Sequence, residues 1–305
     1  MVAIGLALVA VSAAAAERGV MVREAVVYIS PGTAAEKLAN ITRGREVAIM
    51  ERANGWARVL ATVERTEEGD RDISGWMQDR GIVTAATPKG DLIMYGEAVD
   101  SEAQATQRGG RKGAAGDALR LYERTAEYFP TSTLAGEALY RGADIRWQLE
   151  KDDQRGRRSS KTKDPRDRIP IEERYMKEVR KKFSGTKWAD LASFNLLDNK
   201  LCGDWQGEPR CPEREAELYE DYVKDHPKSP KAAEALYNAA WRYASLIEIY
   251  KGEGKAANSK PVAQRAIATA QRVMTANPTQ DWAARAQRLI YMVENNIPVY
   301  GNAVD

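Results

Sequence analysis

The residues that could do chemistry are few. The chain has one histidine, His226, and two cysteines, Cys202 and Cys211. Histidine is the usual general base and the commonest metal ligand, so its scarcity weighs against both roles. One histidine and two cysteines do not furnish an ordinary zinc site, and no cofactor is implied. No P-loop, G-x-S-x-G or G-x-G-x-x-G motif occurs. Gly109-Gly110-Arg111-Lys112-Gly113 is glycine-rich and basic, but no strand precedes it, so it reads as a turn between helices. His226 precedes Pro227 at a helix end, where the related earlier position is Phe129, which makes it an aromatic packing residue. The carboxylates Asp117, Glu123, Glu127, Glu137, Glu220 and Glu234 lie on helices rich in Arg and Lys and read as solvated ion pairs. The sequence therefore predicts no catalytic residue and no enzyme.

The cysteines have a different reading. They flank GDWQGEPR, where Gly203, Gly207 and Pro209 mark a turn that lets the chain double back. A disulfide is expected between them if the protein reaches an oxidising compartment. Free thiols are the alternative. A C-x-x-C redox spacing is absent.

Export is predicted by the first sixteen residues. Ile4–Val11 is apolar, small residues follow, and Ala14-Ala15-Ala16 fits an A-x-A cleavage site that leaves Glu17 as the mature start. A basic n-region is missing, and a buried strand or helix is the alternative. The run is short of the roughly 20 residues needed to span a bilayer, and no transmembrane segment is expected elsewhere. The expected location is periplasmic or secreted. With 305 residues there is room for about two domains, and a net charge of +2 gives no broad field for nucleic acid.

The elements that must carry any site change character along the chain. From Val20 to about Ala85 the pattern is strand-like: Val26–Ile29, Glu46–Glu51, an Asn54-Gly55 hairpin signal, then Trp56–Val59. A charged loop, Glu64–Asp72, precedes Ser74–Met77. Short strands this close suggest a small barrel. The order Pro31-Gly32, Gly44-x-x-Val47, Asn54-Gly55-Trp56-x-x-Val59, Gly75-Trp76-Met77 resembles a bacterial SH3-like domain over about Val20–Val83. That resemblance implies a five-to-six-stranded barrel of a kind found mostly in exported, cell-wall-associated and envelope proteins. Trp56 and Trp76 read as packing residues within it.

After Pro88-Lys89-Gly90 the period becomes helical, and the chain repeats itself. Tyr122, Glu123, Pro130, Ser132, Ala135, Glu137, Ala138, Leu139 and Tyr140 return, in the same spacing, as Tyr219, Glu220, Pro227, Ser229, Ala232, Glu234, Ala235, Leu236 and Tyr237. Fainter copies centre on Ser184 and Pro278. Such periods mean stacked helical units, which as a class bind partners. Ser132 is placed to cap the helix that follows it. Small alanines at the crossings allow close approach. The array resembles the tetratricopeptide-type proteins of the bacterial envelope, similar to the repeats of the BamD-type assembly factor and of the coordinator that works with Tol-Pal.

Three inserts follow the first helix of a pair: Lys151–Pro170, the Cys202–Cys211 loop and Lys251–Ser259. In a solenoid these emerge along one rim. The first insert holds Arg155, Arg157, Arg158, Lys161, Lys163, Arg166 and Arg168 against four aspartates, and reads either as a solvated disordered loop or as a contact for an anionic surface. Tyr95, Trp147 and Trp241 are the candidate binding residues, with Tyr140 and Tyr237 assigned to packing because they recur.

The expected organisation is a signal peptide at 1–16, an SH3-like all-β barrel at 17–87, an all-α solenoid of about four helix pairs at 88–299, and a tail at 300–305. The expected function is a non-enzymatic exported scaffold that binds a protein or peptide in the cell envelope. The alternatives are a peptidoglycan-binding accessory of a wall hydrolase and an unrecognised hydrolase.

Overall fold

A computed structural model describes residues 16–65, 69–157, 162, 164–205, 207–276 and 281–301. The predicted signal peptide lies almost wholly outside the described residues, as do Asn277–Gln280 and most of the tail. The chain divides into two compact units, with the boundary after Ala138.

Seven antiparallel strands open the first unit: β1 (Glu17–Met21), β2 (Ala25–Tyr28), β3 (Lys37–Ile41), β4 (Glu46–Ala53), β5 (Trp56–Arg65), β6 (Gly69–Gln78) and β7 (Ile82–Thr84). They form one sheet in the order β3-β2-β6-β5-β4-β1-β7. β3 and β7 are its two edges, so the pairing does not close into a ring among the described residues. Met21, Val27, Ile41, Val47, Val59, Met77 and their neighbours share one apolar cluster.

Asn54 and Gly55 make the two-residue turn between β4 and β5, both at positive φ (51° and 78°), and Ala53 pairs with Trp56 across it. Ala57 and Val59 point inward as their alternation requires, with Trp56 and Arg58 on the other face. Trp56 meets Tyr28 edge to face at 5.8 Å. The expected charged loop Glu64–Asp72 is mostly strand instead. β5 and β6 stay paired out to Arg65 and Gly69, and the Thr62 hydroxyl donates to Asp72 at 2.6 Å. Backbone pairing and cross-strand polar contacts sustain this hairpin beyond the core, where hydrophobic alternation is silent.

The first unit also holds two helices, α1 (Gly90–Thr106) and α2 (Ala114–Tyr128), so the sheet's compact unit runs well past the expected boundary at residue 87. Gly109 and Gly113 supply the left-handed conformations of the α1–α2 turn, where an interhelix turn was expected. The docking of this hairpin on the sheet is close. A Cβ on Gly44, itself at φ 74°, would come within 2.5 Å of the Arg120 side chain. Arg43 and the half-buried Glu97 pair at 2.7 Å across the same contact.

Helix α3 (Ala135–Arg155) crosses the unit boundary, and α4 (Arg174–Lys182), α5 (Lys187–Asn195), α6 (Arg210–Asp225), α7 (Ala232–Gly252), α8 (Ser259–Ala276) and α9 (Asp281–Glu294) follow. The sequence echo is a hydrogen-bonding echo. Phe129 N–H donates to Thr125, Ser132 N–H to Phe129 and Ala135 N–H to Ser132; His226, Ser229 and Ala232 do the same with Tyr222, His226 and Ser229. The hydroxyls of Ser132 and Ser229 each accept from a backbone N–H two residues on, both at 3.1 Å. Ala135, Ala138 and Ala235 are fully buried. Helix α7 is buried on nearly every side by α6, α8 and α9, which explains its run of alanines and aromatics.

Candidate functional site

The first two inserts adjoin one another in the second unit, and the cysteine loop packs on Ile249 near the end of α7. After α3, the chain returns through a 3-10 turn at Pro165–Asp167, capped by Asp164, whose carboxylate accepts the Arg166 N–H at 2.9 Å. Asn199 then holds the returning segment on both sides: its Oδ1 accepts from Ile171 N–H and its Nδ2 donates to the Ile171 carbonyl, each at 2.9 Å. Arg168 donates to the Leu201 carbonyl. The described part of the insert from Asp164 onward is thus tied down, which corrects the expectation of a disordered loop there. Arg155, Arg157 and Arg166 each pair with an aspartate of the same segment, so much of its positive charge is neutralised locally. Arg158, Lys161 and Lys163 lie outside the described residues.

Cys202 and Cys211 are paired as expected, with Cα atoms 6.0 Å apart. Trp205 and Ile249 of α7 pack on the pair. Beneath the loop lies a buried ion pair that the sequence did not announce. Glu215 and Arg242 have side chains 1% and 4% exposed and meet at 2.8 Å. Glu215 also accepts from the Cys202 backbone N–H at 2.8 Å and the Trp205 indole N–H at 3.1 Å. Arg242 donates to the carbonyl and side chain of Asn238 and lies over the Tyr219 ring at 4.7 Å. Both carboxylate oxygens are hydrogen-bonded, Oε1 twice and Oε2 to Arg242, which is what lets a charge persist in that interior. Burial pushes the Tyr219 phenol up to about 12. The signal was present: Cys211, Glu215 and Tyr219 share one helical stripe, so a carboxylate sits in an apolar row.

Reduction of the disulfide should cost about 2–3 kcal/mol, the loop-entropy value for a closure of roughly ten residues. Urea midpoints of the oxidised and reduced protein read this directly. Coincident midpoints would mean that the loop is held by Glu215 alone.

Where the first two inserts meet there is a cleft of about 270 Å³. Arg168 brings positive charge to it, while Lys151 and Arg155 are paired with Asp198 and Asp152; Ile169, Ile171 and Leu201 bring apolar surface. Asp198 lies at its wall, already taking Lys151 Nζ at 2.8 Å and the Trp147 indole N–H at 3.0 Å. Burial lowers the Arg168 pKa despite the opposing pull of Glu215, Asp198 and Asp164. Its Nε is buried with no hydrogen-bond partner among the described residues. Such a surface suits a carboxylate flanked by aliphatic groups.

The sequence-selected residues are dispersed. Trp147 is 1% exposed, in a core with Met176, Val179 and Leu196, so it packs helices and does not line a groove. Trp241 is 4% exposed and donates its indole N–H to the Gly301 carbonyl at 3.2 Å. Tyr95, in the first unit, is half-buried against Tyr122 and donates its hydroxyl to Glu137 at 2.6 Å. His226 packs on Tyr222 and its Nδ1 lies 2.7 Å from Asp190.

Of the carboxylates read as solvated pairs, Asp117, Glu127, Glu220 and Glu234 are ion-paired, but two of these four are not solvated in the way expected. Asp117 is buried between Arg111 and Arg120. Glu220 is clamped by Tyr243 and Arg265 at 2.8 Å and by Arg272 at 3.2 Å. Burial pushes the Glu220 carboxyl up, but hydrogen bonds from Arg265 and Tyr243 outweigh it and hold the group below the ordinary range. Among the described residues no cluster of metal-ligating side chains occurs, and no helix is long and apolar enough to cross a membrane.

These features define a class: an antiparallel seven-stranded sheet followed by helices, with a disulfide-stapled loop. No protein-family model matches the chain, and no curated protein matches it. Among solved structures it is similar to the DHF58 filament, at 18% identity over 67% of this chain and 91% of that one, with a TM-score of 0.24. It is also similar to the de novo designed helical repeat protein DHR64, at 17% identity over 68% of this chain and 95% of that one, with a TM-score of 0.20.

Proposed function

We propose that the chain is a non-enzymatic exported scaffold whose helical array binds a protein partner in the cell envelope. The observation that carries this reading is the cationic, aliphatic-walled cleft where two inserts meet beside the paired cysteines. An acidic residue with an aliphatic neighbour is the complement of Arg168 and Ile169. The disulfide supports an oxidising compartment. The echoed helix turns and the motif order of the sheet support the tetratricopeptide-type and SH3-like resemblances.

A photo-crosslinker at Ile169, an exposed position on the cleft wall, tests it in intact cells that make the protein. The expected result is a captured protein whose yield falls with Arg168→Glu. Capture of wall fragments alone would replace this reading with the peptidoglycan-binding one. A separate observation favours that second reading: Tyr28 lines a cleft of about 410 Å³ in the first unit, together with Arg23, Gln78 and Arg80. Turnover of peptidoglycan by the isolated chain would overturn the non-enzymatic assignment altogether.

A further inference from the structure

Charge collects on α4 and on the turn that follows it. Between residues 177 and 187 stand Lys177, Arg180, Lys181, Lys182 and Lys187, with Glu178 the one acid among them. Lys182 and Glu178 pair with each other at 2.7 Å. Met176 and Val179 are the buried side of the helix. Lys177, Arg180 and Lys181 fall at i, i+3 and i+4, a single exposed stripe that leads on to Ser184. This stripe lines a cleft of about 660 Å³ in the second unit. Asp190 and Ser193 of α5 line it too, as do Asp225 at the end of α6 and His226 just beyond.

The charges in this cleft do not cancel. Lys177 is taken by Glu173 at 2.7 Å, and Asp190 by His226 Nδ1 at 2.7 Å. Arg180, Lys181 and Asp225 are exposed and make no ion pair among the described residues. Two cations are therefore left against one carboxylate, and Asp225 confines an incoming anion to the α4 side. The packing frame does not ask for this arrangement. Phe129, Phe183 and His226 each close a helix with an N–H bond to the carbonyl four residues back. Three residues before them stand Ala126, Arg180 and Val223, so the guanidinium belongs to one copy of the turn and not to the others.

We propose that this cleft binds a phosphate-bearing ligand, held by Arg180, Lys181 and the Ser184 hydroxyl. The Arg180 fork matches two phosphate oxygens, and Lys181 supplies a mobile point charge. A phosphoryl group carries up to two negative charges and three acceptor oxygens, so it engages both cations and a hydroxyl at once. A lone carboxylate would satisfy the arginine and leave the lysine uncompensated. Basic residues in a last helical turn, as Arg180 and Lys181 are, also complement the helix dipole, but that role predicts no saturable ligand. The cleft is separate from the one beside Arg168 and stands if that reading fails.

The test uses the purified full-length protein with inorganic pyrophosphate, titrated by isothermal calorimetry, and with sedimented lipid vesicles in the same buffer. Pyrophosphate should bind saturably. Arg180→Ala combined with Lys181→Ala should weaken it about tenfold, the loss that follows from removing charge-assisted hydrogen bonds to an anion. Both positions are exposed, so circular dichroism should show the fold intact; Arg180→Gln with Lys181→Gln carries the test if it does not. Lys200→Ala combined with Lys260→Ala removes the same charge from exposed positions outside the cleft and should leave binding unchanged. Vesicles of phosphatidylcholine with and without phosphatidic acid identify the source of the phosphate. Sedimentation with the acidic vesicles, lost in the Arg180 and Lys181 variant, assigns a lipid headgroup, and pyrophosphate binding without sedimentation assigns a soluble phosphate compound. Saturable binding of neither probe overturns the inference, and so does an equal loss in the two double variants.

Discussion

Replacing Glu215 by alanine is expected to destabilise the protein by about 3–5 kcal/mol, the usual consequence of breaking a buried ion pair from one side. The substitution leaves Arg242 charged in an interior where its side chain is 4% exposed. It also strands the Cys202 N–H and the Trp205 indole N–H, which share Glu215 Oε1. A surface pair would give at most about 1 kcal/mol, so the size of the loss distinguishes the two situations. Glu215→Gln should fall between: its carbonyl still accepts from the loop, but the charge facing Arg242 is gone. Urea unfolding at neutral pH orders the three proteins. A Glu215→Ala change under about 1 kcal/mol would mean that water reaches Arg242, against the burial described here. The loop should loosen with the core in these variants, because one carboxylate serves both.

That pair also marks a limit of what could be read from the sequence. The echoed residues were legible because they are positions that helix crossings constrain to be small: Ala135 and Ala138 in one copy, Ala232 and Ala235 in the other. Ser132 was legible as a residue whose hydroxyl takes a backbone N–H ahead of α3, and Ser229 repeats that bond ahead of α7. The Asn54-Gly55 hairpin followed from backbone conformation alone. The Cys202–Cys211 pairing followed from spacing and the glycines between. Glu215 and Arg242 were not legible as partners, because their pairing joins two helices whose contact no local pattern encodes. Asp117 was misjudged for a related reason. A carboxylate among arginines looks like a solvated face, yet the fold buries it between Arg111 and Arg120.

Two of the aromatic candidates, Trp147 and Trp241, are buried. Trp147 and Trp241 were singled out because the copies do not share them, and lack of recurrence was taken to mean exposure to a ligand. Uniqueness has a second cause, which is irregular packing next to an irregular insert. Trp147 donates to Asp198, which follows α5 on the stretch leading to the cysteine loop. Trp241 donates to a segment that no other repeat copy possesses. Both indole N–H groups serve local, non-repeating neighbours, as buried tryptophans generally must. The first two inserts, by contrast, do meet. Arg168 reaches Leu201 across the first two inserts, and the cysteine loop packs on Ile249 close to the start of the third.

Trp147 gives the second large effect, and it separates a packing residue from a binding one. Trp147→Ala should cost about 3–5 kcal/mol, the range for removing a buried aromatic ring whose cavity cannot fully collapse. The ring contacts side chains from α4 and α5 as well as lying on α3, so no single helix can move in to fill the space without leaving another. Trp147→Phe keeps most of the apolar volume but removes the donor to Asp198. Lys151 Nζ remains on that carboxylate at 2.8 Å, so the loss should be nearer 1 kcal/mol, the net worth of one hydrogen bond. A ligand-gripping tryptophan predicts the reverse order of consequences: little change in the urea midpoint for either variant, and a loss of partner capture for both. Because Asp198 and Lys151 also line the rim cleft, the phenylalanine variant is the informative one. It should retain partner capture while the alanine variant loses the fold around α3, α4 and α5, and a phenylalanine variant that is stable yet captures nothing would return Trp147 to the binding surface.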